Sequence, residues 1–147
     1  MDTVFRVAFG YMKNRADADD ITQNTLIKLY RASKEFEDEA HIKHWLIRVA
    51  VNECKKALLL PWRHREEPID DYASTLSFAT SEHSELFCAV MGLPTKYRTA
   101  VFLYYYEDYS VEELSQLLGI PSTTVRTHLK RGRERIKIRL SEVNGYA

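Results

Sequence analysis

Apolar residues recur at steps of three and four along the first third of the chain, which is the period of amphipathic helices. They predict a first helix near the N-terminus, whose buried face carries Val4, Val7, Ala8, Tyr11 and Met12. A second, longer helix is predicted after the acidic stretch ADADD, because acids are favoured at a helix N-terminus. Its apolar positions are Ala18, Ile21, Leu26, Leu29 and Phe36.

A third helix is predicted over HIKHWLIRVAVNECKKALLL, residues 41–60, and Pro61 ends it. Its inward positions are Ile42, Trp45, Leu46, Val49 and Ala50. From Pro61 to about residue 84, prolines, acids, serines and threonines replace the apolar period, a composition typical of a linker. The first three helices therefore predict one small domain that ends at this stretch.

The helical period returns after the linker and predicts four more helices, near SELFCAVMGL, PTKYRTAVFLYYYE and SVEELSQLLG, and from Ser122 to Val143. The Tyr-rich stretch FLYYYEDY is ambiguous because aromatic residues favour strands. Pro94 at a helix start and the spacing of Val101 and Tyr105 favour a helix, which is our prediction. No segment shows the alternation of a strand between turn signals.

The stretch SVEELSQLLGIPSTTV predicts two helices joined by a tight turn. Ser110 and Glu113 form a capping-box pattern, and Gly119 supplies the left-handed residue that ends a helix. Pro121 blocks continuation, and Ser122 is predicted to cap the next helix. The predicted fold is therefore all-α, with two small helical domains, 1–62 and 84–147, joined by a flexible linker, 63–83. The C-terminal domain is a helix-turn-helix.

The charge of the chain is balanced overall but uneven locally. Lysines plus arginines number 21, as do aspartates plus glutamates, yet between Ser122 and Leu140 the last helix has a single acid, Glu134, among its many cations. In a helix-turn-helix, the N-terminal residues of the second helix reach base edges in the major groove. Arg126 is suited to bidentate contact with guanine, and residues further along are suited to phosphates. The predicted DNA-contacting residues are Thr123, Thr124, Arg126, Thr127, Lys130, Arg131, Arg133 and Arg135. The alternative is a solvated basic helix that packs Val125, Leu129, Ile136 and Leu140 inward.

Other kinds of site have little support in the sequence. Cys54 and Cys88 stand outside any CxxC motif, and His41 with His44 lacks two further ligands at fixed spacing, so we predict no metal. We predict no cofactor and no enzymatic activity, because there is no glycine-rich phosphate loop and no evident nucleophile with a His and acid partner. The N-terminus lacks a signal-peptide pattern, and no apolar run approaches the roughly 20 residues of a membrane span. We therefore predict a cytoplasmic protein without membrane insertion.

The two halves together resemble the extracytoplasmic-function sigma factors of the sigma-70 family. ADADDITQNTLIKLYRA resembles the family's A-x-D-x-x-Q-x-T/V-F helix, and FEDEAHIKHWLIRVAVNECKKAL resembles its F-x-x-x-A-x-F-x-x-W-L-x-R-I-A-x-N segment. The stretch from LPTKYRTAVF to VRTHLKRGRERI resembles the family's second conserved segment, with its helix-turn-helix. Two such blocks in this order are more specific than either block alone.

The resemblance implies a promoter-specificity subunit that binds bacterial RNA polymerase core and promoter DNA, and that is often held inactive by an anti-sigma factor. The first domain is then expected to bind polymerase through Asp20, Gln23, Asn24, Ile27, Tyr30 and Arg31. Its expected -10 DNA-binding residues are Lys43, His44, Arg48, Asn52 and Lys56. The second domain is expected to read the -35 element through Thr123, Thr124, Arg126, Thr127, Lys130, Arg131 and Arg133.

Several positions depart from the family pattern or leave alternatives open. Three acids, residues 37–39, stand beside the loop expected to approach DNA, and Asp108 replaces a turn glycine, which Asp tolerates better than most residues. Trp45 is predicted as a core residue rather than a base-stacking one. The polymerase face has a solvated polar surface as its alternative. For the whole chain, the alternative function is a stand-alone helix-turn-helix regulator that does not bind core polymerase.

Overall fold

A computed structural model of the chain describes residues 2–60 and 81–143, and these two ranges contain seven α-helices and no strand. The chain divides into two compact units, Met1–Pro68 and Ile69–Ala147. Most of the predicted linker, residues 63–83, lies outside the described residues. The helix that follows it begins at Ser81, three residues before the predicted start of the second domain.

Three helices build the first unit, α1 (Asp2–Met12), α2 (Arg15–Arg31) and α3 (Glu39–Leu58). The sequence prediction was wrong about both ends of the second helix. Asn14 is its N-cap, with a side chain that accepts a hydrogen bond of 2.8 Å from the backbone N–H of Asp17, so the ADADD acids lie inside its first turns. The helix ends at Arg31, and Phe36 lies in the connection to α3.

The core of the first unit forms where the three helices pack on one another. All five positions predicted on the apolar face of α1 are buried, and α3 buries Leu46, Ile47, Ala50, Val51 and Cys54. The polar Thr25 is also fully buried, because its hydroxyl donates a hydrogen bond of 2.8 Å to the Ile21 carbonyl of its own helix. Burial and the Glu53 carboxylate raise the pKa of the Cys54 thiol, so this side chain is a small apolar core residue.

Four helices build the second unit, α4 (Ser81–Met91), α5 (Thr95–Tyr106), α6 (Val111–Leu118) and α7 (Ser122–Val143). The Tyr-rich stretch is helical as far as Tyr106, as predicted. Asp108 follows in the left-handed region, with φ 58°, which agrees with its predicted tolerance of the turn geometry. Arg98 is buried and stabilises the α4–α5 turn. Its guanidinium donates hydrogen bonds to the Leu93 carbonyl at 2.9 Å and to the Thr95 hydroxyl at 3.3 Å.

The long helix α7 is the centre of the second unit, and it packs against α4, α5 and α6. Val125 and Leu129 are buried, as the inward positions predicted for this helix require. Ile136 and Leu140 are only half-buried. Gly132, between Leu129 and Ile136, is buried against α5. A Cβ at this position would lie 2.7 Å from Cγ2 of Val101. This packing leaves the opposite face of α7 exposed.

Candidate nucleic-acid and protein interfaces

The turn between α6 and α7 has the local geometry that the sequence predicts. The Ser110 hydroxyl accepts from the Glu113 backbone N–H at 3.1 Å, and the Glu113 carboxylate accepts from the Ser110 backbone N–H at 3.0 Å, which completes the capping box. Gly119 ends α6 in the left-handed region, with φ 71°. The predicted cap at Ser122 was wrong: Ser122 is the first residue of α7, and the Pro121 carbonyl accepts from the Val125 backbone N–H.

The residues predicted to read DNA lie on the side of α7 away from its packed face. Thr124 is half-buried and the other seven are exposed: Thr123, Arg126, Thr127, Lys130, Arg131, Arg133 and Arg135. Their exposure follows from the register of the helix, because Val125, Leu129 and Gly132 occupy the packed face. The N-terminal turns of α7 can therefore enter a groove without unpacking the unit.

Two of these cations already have partners in the unit. Arg126 forms an ion pair of 3.3 Å with Glu112 of α6, in which both side chains are more than half exposed. Arg133 donates a hydrogen bond of 3.1 Å to the hydroxyl of Tyr105 on α5. Exposed pairs of this kind are worth at most about 1 kcal/mol, so both guanidinium groups can be redirected to a ligand.

A third group of contacts surrounds Tyr97 of α5, which sequence reasoning did not assign to a site. The nearby guanidinium of Arg131, with the charges of Lys96 and Arg135, lowers the pKa of Tyr97. The Arg135 guanidinium stacks 5.1 Å from the ring centroid, and Lys96 Nζ lies 5.1 Å from it. The imidazole of His128 meets the ring edge-on at 5.4 Å. The helical period marks Tyr97 only as a core residue, so its role depends on the distant partner helix.

The residues predicted to contact the -10 strand are all on α3 and all exposed: Lys43, His44, Arg48, Asn52 and Lys56. Arg48, Asn52 and Lys56 follow one another at four-residue steps along one side of the helix. Asn52 lines a depression of 360 Å³, together with the apolar Val49 and Leu59 and three lysines, Lys28, Lys55 and Lys56. The Glu53 carboxylate pairs with Lys28, and with Lys56 at 3.8 Å.

The acids that precede α3 have local roles in the structure. Asp38 is the N-cap, and its carboxylate accepts from the His41 backbone N–H at 2.8 Å. The Glu37 backbone N–H donates to His41 Nδ1 at 3.2 Å. Trp45 is half-buried, and its ring packs edge-on against Phe36 at 5.6 Å. These contacts fix the start of α3 beside Lys43 and His44.

The predicted polymerase-binding residues share one exposed face of α2. Asp20, Gln23, Asn24, Ile27, Tyr30 and Arg31 are all exposed. They follow one another at one- and three-residue steps, while Ala18, Ile21 and Thr25 lie on the opposite face, in the core. Tyr30 is 92% exposed and Ile27 is 47% exposed. A tyrosine this exposed contributes little to packing, which makes this face a candidate for a protein partner.

Within residues 2–60 and 81–143, no group of three or more His, Cys, Asp or Glu side chains is placed to hold a metal ion. Over the same described ranges, no helix is both long enough and apolar enough to cross a membrane.

Comparison with known families assigns both halves of the chain. Residues 1–63 match the family model of sigma-70 region 2, and residues 83–136 match that of sigma-70 region 4. The fold as a whole is similar to a sigma factor called RpoE from Bartonella quintana, solved in complex with the anti-sigma factor NepR. The TM-score is 0.76 at 19% sequence identity, over 95% of this chain and 91% of that one.

Curated relatives are similar over most of their length. RNA polymerase sigma factor SigV of Bacillus subtilis is 29% identical over 141 residues, which cover 94% of this chain and 84% of SigV. RNA polymerase sigma factor CarQ of Myxococcus xanthus is 30% identical over 143 residues, which cover 90% of this chain and 79% of CarQ. Several further relatives are named ECF RNA polymerase sigma factors, among them SigM of Mycobacterium tuberculosis. The chain therefore belongs to the extracytoplasmic-function sigma factors of the sigma-70 family.

Proposed function

We propose that this protein directs bacterial core RNA polymerase to specific promoters, with residues 1–62 binding polymerase and the -10 element and residues 84–147 reading the -35 element. Residues 63–83 join the two. The observation that carries the proposal is the exposed N-terminal half of α7. It follows α6, which begins with a complete capping box and ends at a left-handed glycine. This arrangement has the geometry of a helix that enters the major groove.

The -35 element is read by the first turns of α7. Arg126 makes bidentate contact with guanine after leaving Glu112, and Thr123 and Thr127 approach neighbouring bases or phosphates. Lys130, Arg131 and Arg133 lie further along the helix and contact the sugar–phosphate backbone. Support comes from the exposure of these side chains and from the weakness of the pairs that hold Arg126 and Arg133.

The -10 strand is held along α3, with Asn52 as the base reader. Its amide can both donate and accept, as recognition of the edge of an unstacked base requires. Arg48 and Lys56, one turn to either side, supply charge for the phosphates. The depression beside Asn52 supports this role because its lining combines apolar side chains with three lysines.

Core polymerase is bound by the exposed face of α2. Tyr30 is the side chain to test, since an exposed aromatic at an interface commonly loses about 2 kcal/mol or more of binding on truncation. Tyr30→Ala should bind core polymerase tenfold or more weakly in a pull-down titration and keep the thermal midpoint of the wild type. Arg15→Ala, on the same helix but outside this face, is the matched control. Equal polymerase affinities for both variants would count against the assignment of this face.

Three further assignments belong to the same proposal. The protein acts as an initiation factor and leaves bond formation to the polymerase. It works in the cytoplasm, where promoter DNA and polymerase meet. An anti-sigma partner is consistent with the RpoE fold neighbour, which was solved with one.

The deciding experiment is run-off transcription with sigma-free core polymerase and a pool of genomic promoter fragments. Addition of the protein should give transcripts with defined start sites, and both Asn52→Ala and Arg126→Ala should reduce them. Binding of promoter fragments without polymerase recruitment would instead identify a stand-alone helix-turn-helix regulator. Absence of both activities would contradict the proposal.

A further inference from the structure

The cations around Tyr97 form a cluster that the contacts within the unit do not neutralise. We call Lys96, Tyr97, Arg131 and Arg135 the Tyr97 cluster. All three cationic side chains are exposed, and within the described residues none of them forms an ion pair with an acid. Like charges held this close together destabilise a folded protein unless a ligand of opposite charge compensates for them.

The hydroxyl of Tyr97 adds a directional donor to these charges. A phenolic O–H can donate one hydrogen bond, and the Arg131 guanidinium nearby stabilises the ionised form of this hydroxyl. The lowered pKa of Tyr97 makes that proton a stronger donor toward an oxyanion. His128 packs edge-on against the ring, and its Nδ1 is buried without a partner in the described residues. The ring is therefore fixed in place while its polar end stays among cations.

The position of the cluster along α7 indicates which anion it meets. Arg131 follows Arg126 by five residues and Arg135 follows it by nine, which is about 7.5 and 13.5 Å along a helix axis. If Arg126 reaches a base, groups at those distances lie at the edge of a major groove about 12 Å wide, where the phosphates are. Lys96 extends the same positive surface onto α5, which contributes no side chain to base reading.

We propose that the Tyr97 cluster binds a backbone phosphate of the promoter duplex beside the -35 element, with Lys96 and the Tyr97 hydroxyl as contacts supplied by α5. The inference rests on the proposed -35 recognition by α7. The phosphate accepts from the Tyr97 hydroxyl and from the Arg131 and Arg135 guanidinium groups, and Lys96 adds a further positive charge. The contact carries no base information, so it strengthens binding to every promoter alike.

The test uses holoenzyme reconstituted from core polymerase and full-length protein, bound to a promoter fragment obtained from the run-off experiment. Lys96→Gln should lower affinity several-fold and make the slope of log K against log salt shallower by about 0.9. Its thermal midpoint should stay the same or rise, because a like-charge repulsion has been removed. Arg15→Gln, which removes an exposed cation on α2 outside every predicted contact face, is matched for charge and should change neither quantity.

Fragments with single uncharged methylphosphonate linkages beside the -35 element identify the phosphate. One such linkage should weaken the wild type and have a much smaller effect on Lys96→Gln, because both changes remove the same contact. Tyr97→Phe should weaken binding while preserving the base preferences of the wild type. Two outcomes would overturn the inference. One is a Lys96→Gln variant that loses stability but keeps the salt slope of the wild type. The other is that every methylphosphonate linkage weakens Lys96→Gln as much as it weakens the wild type. A wild-type holoenzyme that does not bind the promoter would refute the proposed function itself.

Discussion

The ion pair between Arg126 and Glu112 places a carboxylate beside Arg126, the side chain predicted to contact a base. Both side chains are exposed, so the 3.3 Å contact adds little to stability. When Arg126 turns to a base, the Glu112 carboxylate is left near the phosphates of the duplex. A unit negative charge 5–10 Å from a phosphate costs about 0.4–0.8 kcal/mol in a water-like dielectric. The acid is therefore expected to weaken binding.

Glu112→Gln should accordingly raise promoter affinity about two- to fourfold at low salt, as the Coulomb estimate implies. The gain should shrink as salt screens the charges, and thermal stability should change by less than about 1 kcal/mol. Anisotropy titrations of holoenzyme on a labelled promoter measure this. Glu142 lies on α7 about 24 Å beyond Arg126 along the helix axis, so Glu142→Gln serves as the control for net charge. A weaker promoter complex with Glu112→Gln would mean instead that the acid positions Arg126.

His128 makes the stability of the second unit depend on pH. Burial lowers the pKa of His128 from its ordinary 6.5, and the charges of Lys96 and Arg131 lower it further. The unfolded chain therefore takes up a proton near pH 6.5 that the folded unit takes up only at lower pH, so stability is lost as pH falls below about 6.5. Above that value His128 is neutral in both states and the penalty is absent.

His128→Gln should flatten this dependence. Denaturant melts between pH 7.5 and 5 should show a smaller loss of stability on acidification for the variant than for the wild type. Parallel curves for His128→Gln and the wild type would show that other groups produce the acid sensitivity.

Residue roles were predictable from sequence where one helix suffices to define them. The exposure of Arg126, Asn52 and Tyr30 follows from the period of their own helices. The role of Tyr97 does not, because Arg131 and Arg135 follow it by 34 and 38 residues and belong to another helix, and its burial marks it only as apolar. The same holds for the Arg133–Tyr105 hydrogen bond, which joins residues 28 positions apart.

At the scale of elements, the packing of α7 on α5 depends on Gly132. Alanine is favoured over glycine inside a helix by about 1 kcal/mol. Here the added Cβ would lie 2.7 Å from Cγ2 of Val101, a stiff and buried side chain. Overpacking of this kind costs about 1–3 kcal/mol. The steric term is therefore expected to exceed the helix propensity.

Gly132→Ala should lower the free energy of unfolding by about 1 kcal/mol, the difference between those two effects. A double-mutant cycle with Val101→Ala isolates the clash, because the smaller residue makes room for the methyl group. The two changes together should cost less than the sum of the single changes by the relieved clash, about 1–3 kcal/mol. Additive costs, or a stabilised Gly132→Ala variant, would show that the helices separate enough to accept the methyl group.

The helices themselves were largely predictable because most of them carry an amphipathic period and explicit end signals. The limits of α7 and the helical state of the Tyr-rich stretch were predicted correctly. The ends of α2 were not. Its N-cap is Asn14 rather than one of the ADADD acids, because the Asn14 side chain accepts a hydrogen bond from the Asp17 backbone N–H. Phe36 matched the helical period, but it packs on Trp45 from the α2–α3 connection, a tertiary contact that no local pattern shows.

For the whole molecule, the balance of 21 basic and 21 acidic residues conceals two separate positive surfaces. One lies along α3 and the other along α7, and they belong to different compact units. DNA binding therefore depends on local charge rather than on net charge. Base recognition should then be divided between the units, with Asn52 responsible for one promoter element and Arg126 for the other.

This division can be tested with run-off transcription on a promoter library randomised in both elements. Asn52→Ala should lose base preference within the -10 element and keep the wild-type preference within the -35 element, and Arg126→Ala should do the reverse. The reason is that each side chain reads only bases within its own reach, while phosphate contacts elsewhere preserve the register of the complex. The double variant should lose both preferences, with additive free-energy costs, because the sites share no partner. If either single variant lost base preference in both elements, the two surfaces would be acting as one recognition site. The assignment of one element to each unit would then be wrong.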